Sequence, residues 1–153
     1  MNNVRRLALI PAAALLLAAC SSGAGSPSSP PSTLPAASAS AATLIEVSLT
    51  DTLEITMSAM AVPVGVPVTF RVTNMGKIDH EFFLGDEDAQ AGHEQEMMAM
   101  GGMGHDEADG IGVKPGETKE LMYTFSKPGG TFVGCHVGGH YAGGMKAALM
   151  VIG

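Results

Sequence analysis

Apolar and polar residues alternate with a period of two over much of the chain after residue 43. The alternation covers residues 45–49, 66–73 and 121–125, where every second position holds Ile, Val, Leu, Phe or Tyr. Two further short apolar runs occupy residues 131–133 and 147–152. Successive side chains of a strand point to opposite faces, so this period predicts strands with one buried face.

Turn signals separate these segments. Glycine, proline or asparagine is concentrated at residues 64–65, 74–76, 114–116 and 127–130. These residue types favour turns because glycine tolerates positive φ and proline presets φ. Many short strands with frequent turns are typical of an all-β sandwich or barrel.

One acidic segment, residues 86–109, departs from the strand pattern and is rich in methionine and histidine. Residues 87–100 could form a helix on which His93, Met97 and Met100 would share one face, and the glycines that follow would end it. We interpret the segment as an insertion between strands.

The N-terminal residues have the features of an export signal. Arg5 and Arg6 precede an apolar run, residues 7–17, that is too short to be a good membrane span. The run ends in Leu-Ala-Ala-Cys, which resembles the bacterial lipobox, so we expect Cys20 to be lipidated. Ordinary secretion with a chance cysteine at the cleavage site is the alternative.

Three parts are therefore expected along the chain. Residues 1–19 form the signal peptide, and residues 20–42, made of Ser, Pro, Ala and Gly with little else, form a lipidated flexible tether. Residues 43–153 form one folded domain. We expect the protein to be exported and held on the periplasmic side of the cell envelope, bound to the membrane only through the Cys20 lipid.

The charge excludes some partners. The whole chain has a formal net charge of −7, and loss of the signal removes two arginines and no acids, which leaves about −9. A surface this acidic argues against binding of nucleic acid and against direct binding of anionic lipid.

The cysteine count points to a metal. The chain has two cysteines, and lipidation of Cys20 would leave Cys135 as a lone thiol in an oxidising compartment. A metal that holds Cys135 as a thiolate explains such a residue, and a buried structural thiol is the alternative.

A glycine-rich loop supplies further ligand types at regular spacing. Cys135, His140 and Met145 follow one another at intervals of five residues. Soft thiolate and thioether ligands select copper, and two imidazoles with one thiolate and a weak axial methionine form a type 1 copper site. The second imidazole must come from elsewhere, and His80, between a turn and the strand at residues 81–84, is the best candidate. The alternatives are a surface His80, a plain loop His140 and a Met145 that only packs in the core.

Four motifs together resemble the cupredoxins, and within them the auracyanin-like and other bacterial plastocyanin- or azurin-type domains. They are Asn74-x-Gly76, His80 before Glu-Phe-Phe, Pro-Gly-Glu-Thr at residues 115–118, and Cys-x4-His-x4-Met from Cys135. The resemblance covers about residues 44–153. It implies a Greek-key β-sandwich with one mononuclear type 1 copper that transfers electrons between Cu(I) and Cu(II).

Three positions depart from the cupredoxin pattern. Glu81 follows the first ligand histidine where many relatives have asparagine or another small polar residue, and Gly139 stands where proline is common. His136 follows the cysteine. We expect the His136 side chain to point away from the ion and to lie near the surface, and we expect these outer residues to change the reduction potential.

The acidic segment provides a candidate second, weaker Cu(I) site, and the alternatives are methionines that only pack in a core and a disordered, solvated lid. Its candidate ligands are thioethers and imidazoles: His93, Met97, Met98, Met100, Met103 and His105.

Electron transfer is the first functional hypothesis, and copper sequestration or delivery for copper tolerance, using the Met/His-rich segment, is the alternative. The partner would be a redox protein or a copper-handling protein of the envelope.

We do not expect an enzyme, because no phosphate-binding or Ser/His/Asp motif stands out. A nucleophilic Cys135 with His140 as its base would leave Met145 unexplained, and zinc would not favour a thioether.

Overall fold

The computed structural model describes residues 43–102 and 104–153, so the predicted signal peptide, the tether with Cys20, and Met103 lie outside the described residues. The strands are β1 Thr43–Leu49, β2 Ile55–Met57, β3 Ala61–Pro63, β4 Pro67–Asn74, β5 His80–Gly85, β6 Gly110–Val113, β7 Thr118–Thr124, β8 Gly129–Gly134 and β9 Lys146–Ile152. One α-helix, α1, spans Glu87–Ala99, and a single 3-10 turn spans Val137–Gly139.

The strands form two sheets that enclose the core. One sheet has the order β2-β1-β4-β7 and the other has the order β3-β9-β8-β5-β6. The pairs β1–β4 and β3–β9 are parallel and the remaining pairs are antiparallel. The prediction of an all-β sandwich is confirmed.

The core follows the alternation seen in the sequence. Every second residue of β4, beginning with Val68, is buried, and Ile45, Val47 and Leu49 of β1 face the same interior. Phe70 and Phe82 meet across the two sheets with ring centroids 5.2 Å apart. Complete burial of a side chain of this size contributes about 1.5–3 kcal/mol.

Three strands were not predicted from the sequence. β2, β3 and β6 have three or four residues each. Segments this short do not show a readable period, and β2, β3 and β6 all lie at the edges of their sheets.

The acidic segment is a helix packed on the sandwich rather than a solvated lid. Asp86 caps α1 by accepting a hydrogen bond from the Ala89 amide. The helix buries Gln90, His93 and Met97 against β5 and β8. The prediction that Met100 shares this face is wrong, because Met100 is the C-cap residue and is 52% exposed.

Among the described residues, no helix has the length and apolar character needed to cross a membrane.

Strand register brings several predicted ligands to one end of the sandwich. β8 runs antiparallel to both β5 and β9, with Phe83 opposite Gly134 and Gly134 opposite Lys146. The start of β5, the end of β8 and the start of β9 therefore lie side by side. His80, Cys135 and Met145 occupy or adjoin these three strand ends.

Candidate metal centre

His80, Cys135 and His140 converge at this end of the sandwich. The Cys135 Sγ atom lies 3.8 Å from Nδ1 of His80 and 3.4 Å from Nδ1 of His140. Within residues 43–102 and 104–153, these three form the one group of His, Cys, Asp or Glu side chains whose donor atoms all lie within 4.8 Å of one another. Both imidazoles present the same ring nitrogen to the sulfur, as two ligands of one ion would.

Asp51, in the turn after β1, orients His80. The Nε2 atom of the buried His80 ring lies 3.3 Å from Oδ1 of Asp51. The same carboxylate accepts the Lys77 amide at 2.9 and 3.0 Å, and these backbone hydrogen bonds hold the pKa of Asp51 below its usual value. An ionised Asp51 favours the His80 tautomer with the proton on Nε2, which leaves the Nδ1 lone pair free for a metal.

A buried amide backs the sulfur of Cys135. The Glu81 N–H donates to Sγ at 3.2 Å, and the Cys135 side chain is completely buried. Burial raises the pKa of the thiol to about 11, although the backbone amides of Glu81 and Val137 favour the thiolate. The metal-free thiol is therefore protonated at neutral pH, and binding of a metal as thiolate must release that proton.

His140 differs from His80 because it is only partly buried. Burial, together with the nearby His80, lowers the pKa of His140, so the imidazole is neutral and available as a ligand near pH 7. The loop folds back behind it, with the Met145 amide donating to the His140 carbonyl at 3.0 Å. Gly144 adopts a φ of 101° in this turn, a conformation that residues with a Cβ rarely adopt.

Met145 is fully buried, and its backbone contacts the backbones of Cys135 and His140. Its carbonyl accepts the Cys135 amide at 3.1 Å, and its side chain belongs to the hydrophobic core cluster. Both alternatives from the sequence, axial ligand and core residue, place the thioether in this interior. The axial role stays a prediction.

The donor set fits copper. A thiolate and two neutral imidazoles are the equatorial ligands of type 1 copper sites, and a thioether is their usual weak axial donor. Zinc sites of the structural kind close with four Cys or His ligands, and these three side chains supply only three.

The prediction that His136 lies near the surface is wrong. The residue is 2% exposed, with Nε2 2.7 Å from Oε1 of Gln90 and Nδ1 2.5 Å from Oε2 of Glu94. Its ring stacks on Tyr141. The side chain does point away from Cys135 Sγ, but towards Gln90 and Glu94 of α1, which covers that side of the sheet.

The six candidate residues of the second site are not all brought together. His93 is buried and stacks on Phe83 at 3.9 Å, and its ring centroid lies 5.9 Å from that of His105. Met97 is buried, but Met98 and Met100 are 70% and 52% exposed. Met103 lies outside the described residues.

Sequence reasoning missed three polar residues around these groups. Asp51 contacts a residue 29 positions away, and Gln90 and Glu94 of α1 contact His136 more than 40 positions away. An acidic residue in a turn or on a polar helix has no local feature that distinguishes such a role.

Comparison with known proteins places the chain in a family, although no family model matches it. It is 37% identical over 117 residues to the copper-resistant cuproprotein CopI of Vibrio cholerae, covering 76% of this chain and 69% of the relative. The CopI proteins of Rubrivivax gelatinosus and Pseudomonas aeruginosa are each 32% identical, over 76% of this chain and 71% and 80% of theirs. The chain belongs to the CopI family.

Solved structures show the fold of this CopI-family chain to be that of a cupredoxin. Auracyanin of Roseiflexus castenholzii superposes with a TM-score of 0.63 at 24% identity, over 72% of this chain and 97% of that one. Auracyanin A of Chloroflexus aurantiacus gives 0.54 at 22% identity, over 71% and 98%. The family, the fold and the His80–Cys135–His140 group together support a copper-binding protein.

Proposed function

We propose that the chain is a mononuclear type 1 copper protein of the cell envelope that transfers electrons. The observation that carries the proposal is a buried thiol with Nδ1 atoms of two imidazoles at 3.4 and 3.8 Å. Because these groups are already held together, the same ligands can serve both oxidation states with little rearrangement.

The residues of the centre have distinct tasks. His80, Cys135 and His140 would hold the copper, and Met145 would be the weak axial ligand. Bound copper supplies one-electron chemistry between Cu(I) and Cu(II). Core residues exclude water from Cys135, and Asp51 orients His80.

The partly exposed His140 is the natural point of electron exchange. The other three predicted ligands are buried, so His140 provides the shortest path between the centre and solvent. We propose that the partner, a redox or copper-handling protein of the envelope, docks at this end of the sandwich. The anchor at Cys20 would keep the protein, and the partner docked on it, at the membrane. We propose no catalytic activity.

Copper tolerance by sequestration or delivery is a second candidate function. Two observations favour it: the relatives in three bacteria are named copper-resistant cuproproteins, and α1 exposes the thioethers of Met98 and Met100. Solvent-facing thioethers suit transient binding of Cu(I).

Titration of the mature protein with Cu(II) tests the first proposal. A type 1 centre should give one equivalent with intense thiolate-to-copper absorption in the visible, followed by reversible reduction. Cys135→Ser should abolish that absorption because a hydroxyl is a poor soft ligand. Visible absorption that persists in Cys135→Ser, or irreversible reduction with loss of the ion, would overturn the proposal.

A further inference from the structure

All five histidines of the chain lie in two clusters. Two of them, His80 and His140, flank Cys135. The other three, His93, His105 and His136, lie together under and beside α1, with His93 at ring-centroid distances of 5.9 Å from His105 and 5.0 Å from His136. The function proposed for Cys135 uses none of these three.

His93 is almost completely buried and lacks hydrogen-bond partners. Only 3% of the residue is exposed, and neither ring nitrogen makes a hydrogen bond of acceptable geometry. Carboxylate oxygens are nevertheless close: Glu81 Oε2 lies 3.1 Å from Nε2, and Glu107 Oε1 lies 3.3 Å from Nδ1. Buried polar atoms are nearly always satisfied, so two unsatisfied nitrogens on one ring require an explanation.

The surroundings of His93 are rich in negative charge. Glu81 is completely buried and its Oε1 atom lacks a partner, while Glu94, Glu96 and Glu107 approach the three histidines from α1 and the following loop. No lysine or arginine forms an ion pair with any of these four carboxylates in the described part of the chain. A buried carboxylate without a compensating cation is costly, so a cation would stabilise this region.

We propose that His93, His105 and Glu107 form a second metal site, which takes a divalent ion of borderline softness such as Cu(II) or Zn(II). The ligand atoms would be Nδ1 of His93, Nε2 of His105 and Oε1 of Glu107. Oε1 lies 3.3 Å from the first and 3.4 Å from the second. Ligands bonded at 2.0–2.1 Å to a tetrahedral ion are separated by about 3.3 Å.

The remaining contacts of His93 match those of a metal-bound histidine. With Nδ1 directed at the ion, Nε2 faces the buried carboxylate of Glu81 at 3.1 Å. A carboxylate behind a ligand imidazole sets its tautomer and raises its basicity. A third carboxylate, Glu96, lies 3.9 Å from Nδ1 and can turn towards the ion.

The site needs one local movement to close. The ring centroids of His93 and His105 lie 5.9 Å apart, against 5.0 Å for His80 and His140. His105 can supply the movement because 40% of its side chain is exposed, which also opens this donor to solvent.

This second site differs from the thioether site predicted from the sequence. Its donors are imidazole nitrogens and a carboxylate oxygen, which favour divalent ions, and the exposed Met98 and Met100 take no part in it. It does not depend on the function proposed for Cys135, although Glu81 contacts both centres by donating its amide to Cys135 Sγ and facing His93.

Cu(II), the divalent ion expected to bind most tightly, is the probe. Protein that already carries one type 1 copper is given one further equivalent of Cu(II), desalted, and measured by metal analysis and electron paramagnetic resonance. The protein should retain the second equivalent of copper after desalting. Its paramagnetic resonance signal should be axial, with larger copper hyperfine coupling than a type 1 site gives and with splitting from bound nitrogen. The visible band of Cys135 should be unchanged.

Variants at the three donors decide the assignment. His105→Ala and Glu107→Gln alter partly exposed positions, so both should fold even if His93→Gln does not. Loss of an outer hydrogen bond to a metal ligand lowers the affinity by about 10- to 100-fold. Each of these variants removes a ligand itself, so each should lower the affinity for the second equivalent by more than that. Asp88→Asn and Gln95→Ala, at exposed positions of α1, are controls and should retain it.

Failure of this proposal and failure of the first can be told apart. If no second equivalent is retained, or if His105→Ala and Glu107→Gln retain it as well as the controls do, His93 and its carboxylates form a structural ion-pair network and no metal site. That result would leave the visible band of Cys135 untouched. If Cu(II) never produces the visible band but gives an axial signal that His105→Ala and Glu107→Gln remove, only the type 1 assignment is contradicted.

Discussion

His80 Nε2 and Asp51 Oδ1 lie 3.3 Å apart, which links a predicted copper ligand to a turn 29 residues earlier in the chain. Asp51 also accepts the amide of Lys77, so one carboxylate fixes both the His80 ring and the loop that leads to it. Asp51 therefore sets the direction in which His80 Nδ1 points.

Replacement of Asp51 should weaken copper binding. Asp51→Ala removes the partner of His80 Nε2 and the acceptor of Lys77, and we expect a loss of affinity of about 10- to 100-fold. Asp51→Asn keeps an oxygen acceptor but removes the negative charge, so most of the affinity should remain while the reduction potential rises. A copper competition titration and voltammetry measure the two effects.

Glu54→Gln is the matched control for Asp51, because Glu54 is an exposed carboxylate at the end of the same turn. It should leave affinity and potential unchanged. Equal behaviour of Asp51→Ala and Glu54→Gln would show that the Asp51–His80 contact has no role in the centre.

Substitution of the predicted axial ligand should change the potential and not the occupancy. In Met145→Leu the thiolate and two imidazoles still hold copper, and a similar volume fills the same buried space. Loss of a weak thioether donor destabilises Cu(II) more than Cu(I), so the reduction potential should rise. An unchanged potential in voltammetry would assign Met145 to the core alone.

Copper binding should release one proton from Cys135. Burial raises the pKa of this thiol to about 11 in the metal-free protein, so the thiol is protonated throughout the neutral range. The lowered pKa of His140 means that this imidazole has no proton to lose near pH 8. The apparent affinity for Cu(II) should therefore rise about tenfold per pH unit between pH 8 and pH 10.

Calorimetry in buffers of different ionisation enthalpy counts the released proton directly. Cys135→Ser is the control, and any Cu(II) that still binds to this variant should release no proton from residue 135. A pH-independent affinity would mean that the thiol is already ionised, or that sulfur does not bind the ion.

The methionines near α1 test the copper-handling candidate. Replacement of Met97, Met98, Met100 and Met103 by Leu should leave the visible spectrum intact, since the cost of the buried Met97→Leu change is below about 1.5 kcal/mol. The same variant should lose a weak second equivalent in a Cu(I) competition titration and lower copper tolerance in cells. A single equivalent before and after the change would remove the support for a thioether site.

Lipidation of Cys20 is tested by its removal. The mature N-terminus should be an acylated Cys20, and Cys20→Ala should release the protein from membranes while the copper absorption persists. Mass spectrometry that finds an unmodified N-terminus at another residue would contradict the lipoprotein prediction.

Local residue patterns predicted most of the fold. The period of two in β1, β4 and β7 specifies which face of each strand is buried, and the turn residues between them limit the length of each strand. The same local reading predicted α1, whose start is capped by Asp86. It missed β2, β3 and β6 because pairing with a neighbouring strand, and not their own composition, makes them strands.

The sequence by itself also predicted the copper binding that the family and the fold support. Cys135, His140 and Met145 are confined to one loop, so their spacing alone shows that they can face a common point, and thiolate with thioether indicates copper. His80 could be chosen from the same information only because it begins a strand.

Only the tertiary structure decided what surrounds each donor. The packing of α1 across β5 and β8 buries His93 and His136, although the sequence around them is acidic and polar. The contacts Asp51–His80 and Glu81–Cys135 span 29 and 54 positions. Such contacts depend on the register of the strands and the path of the turns. A local residue pattern contains no information about which distant carboxylate or amide will contact a given donor.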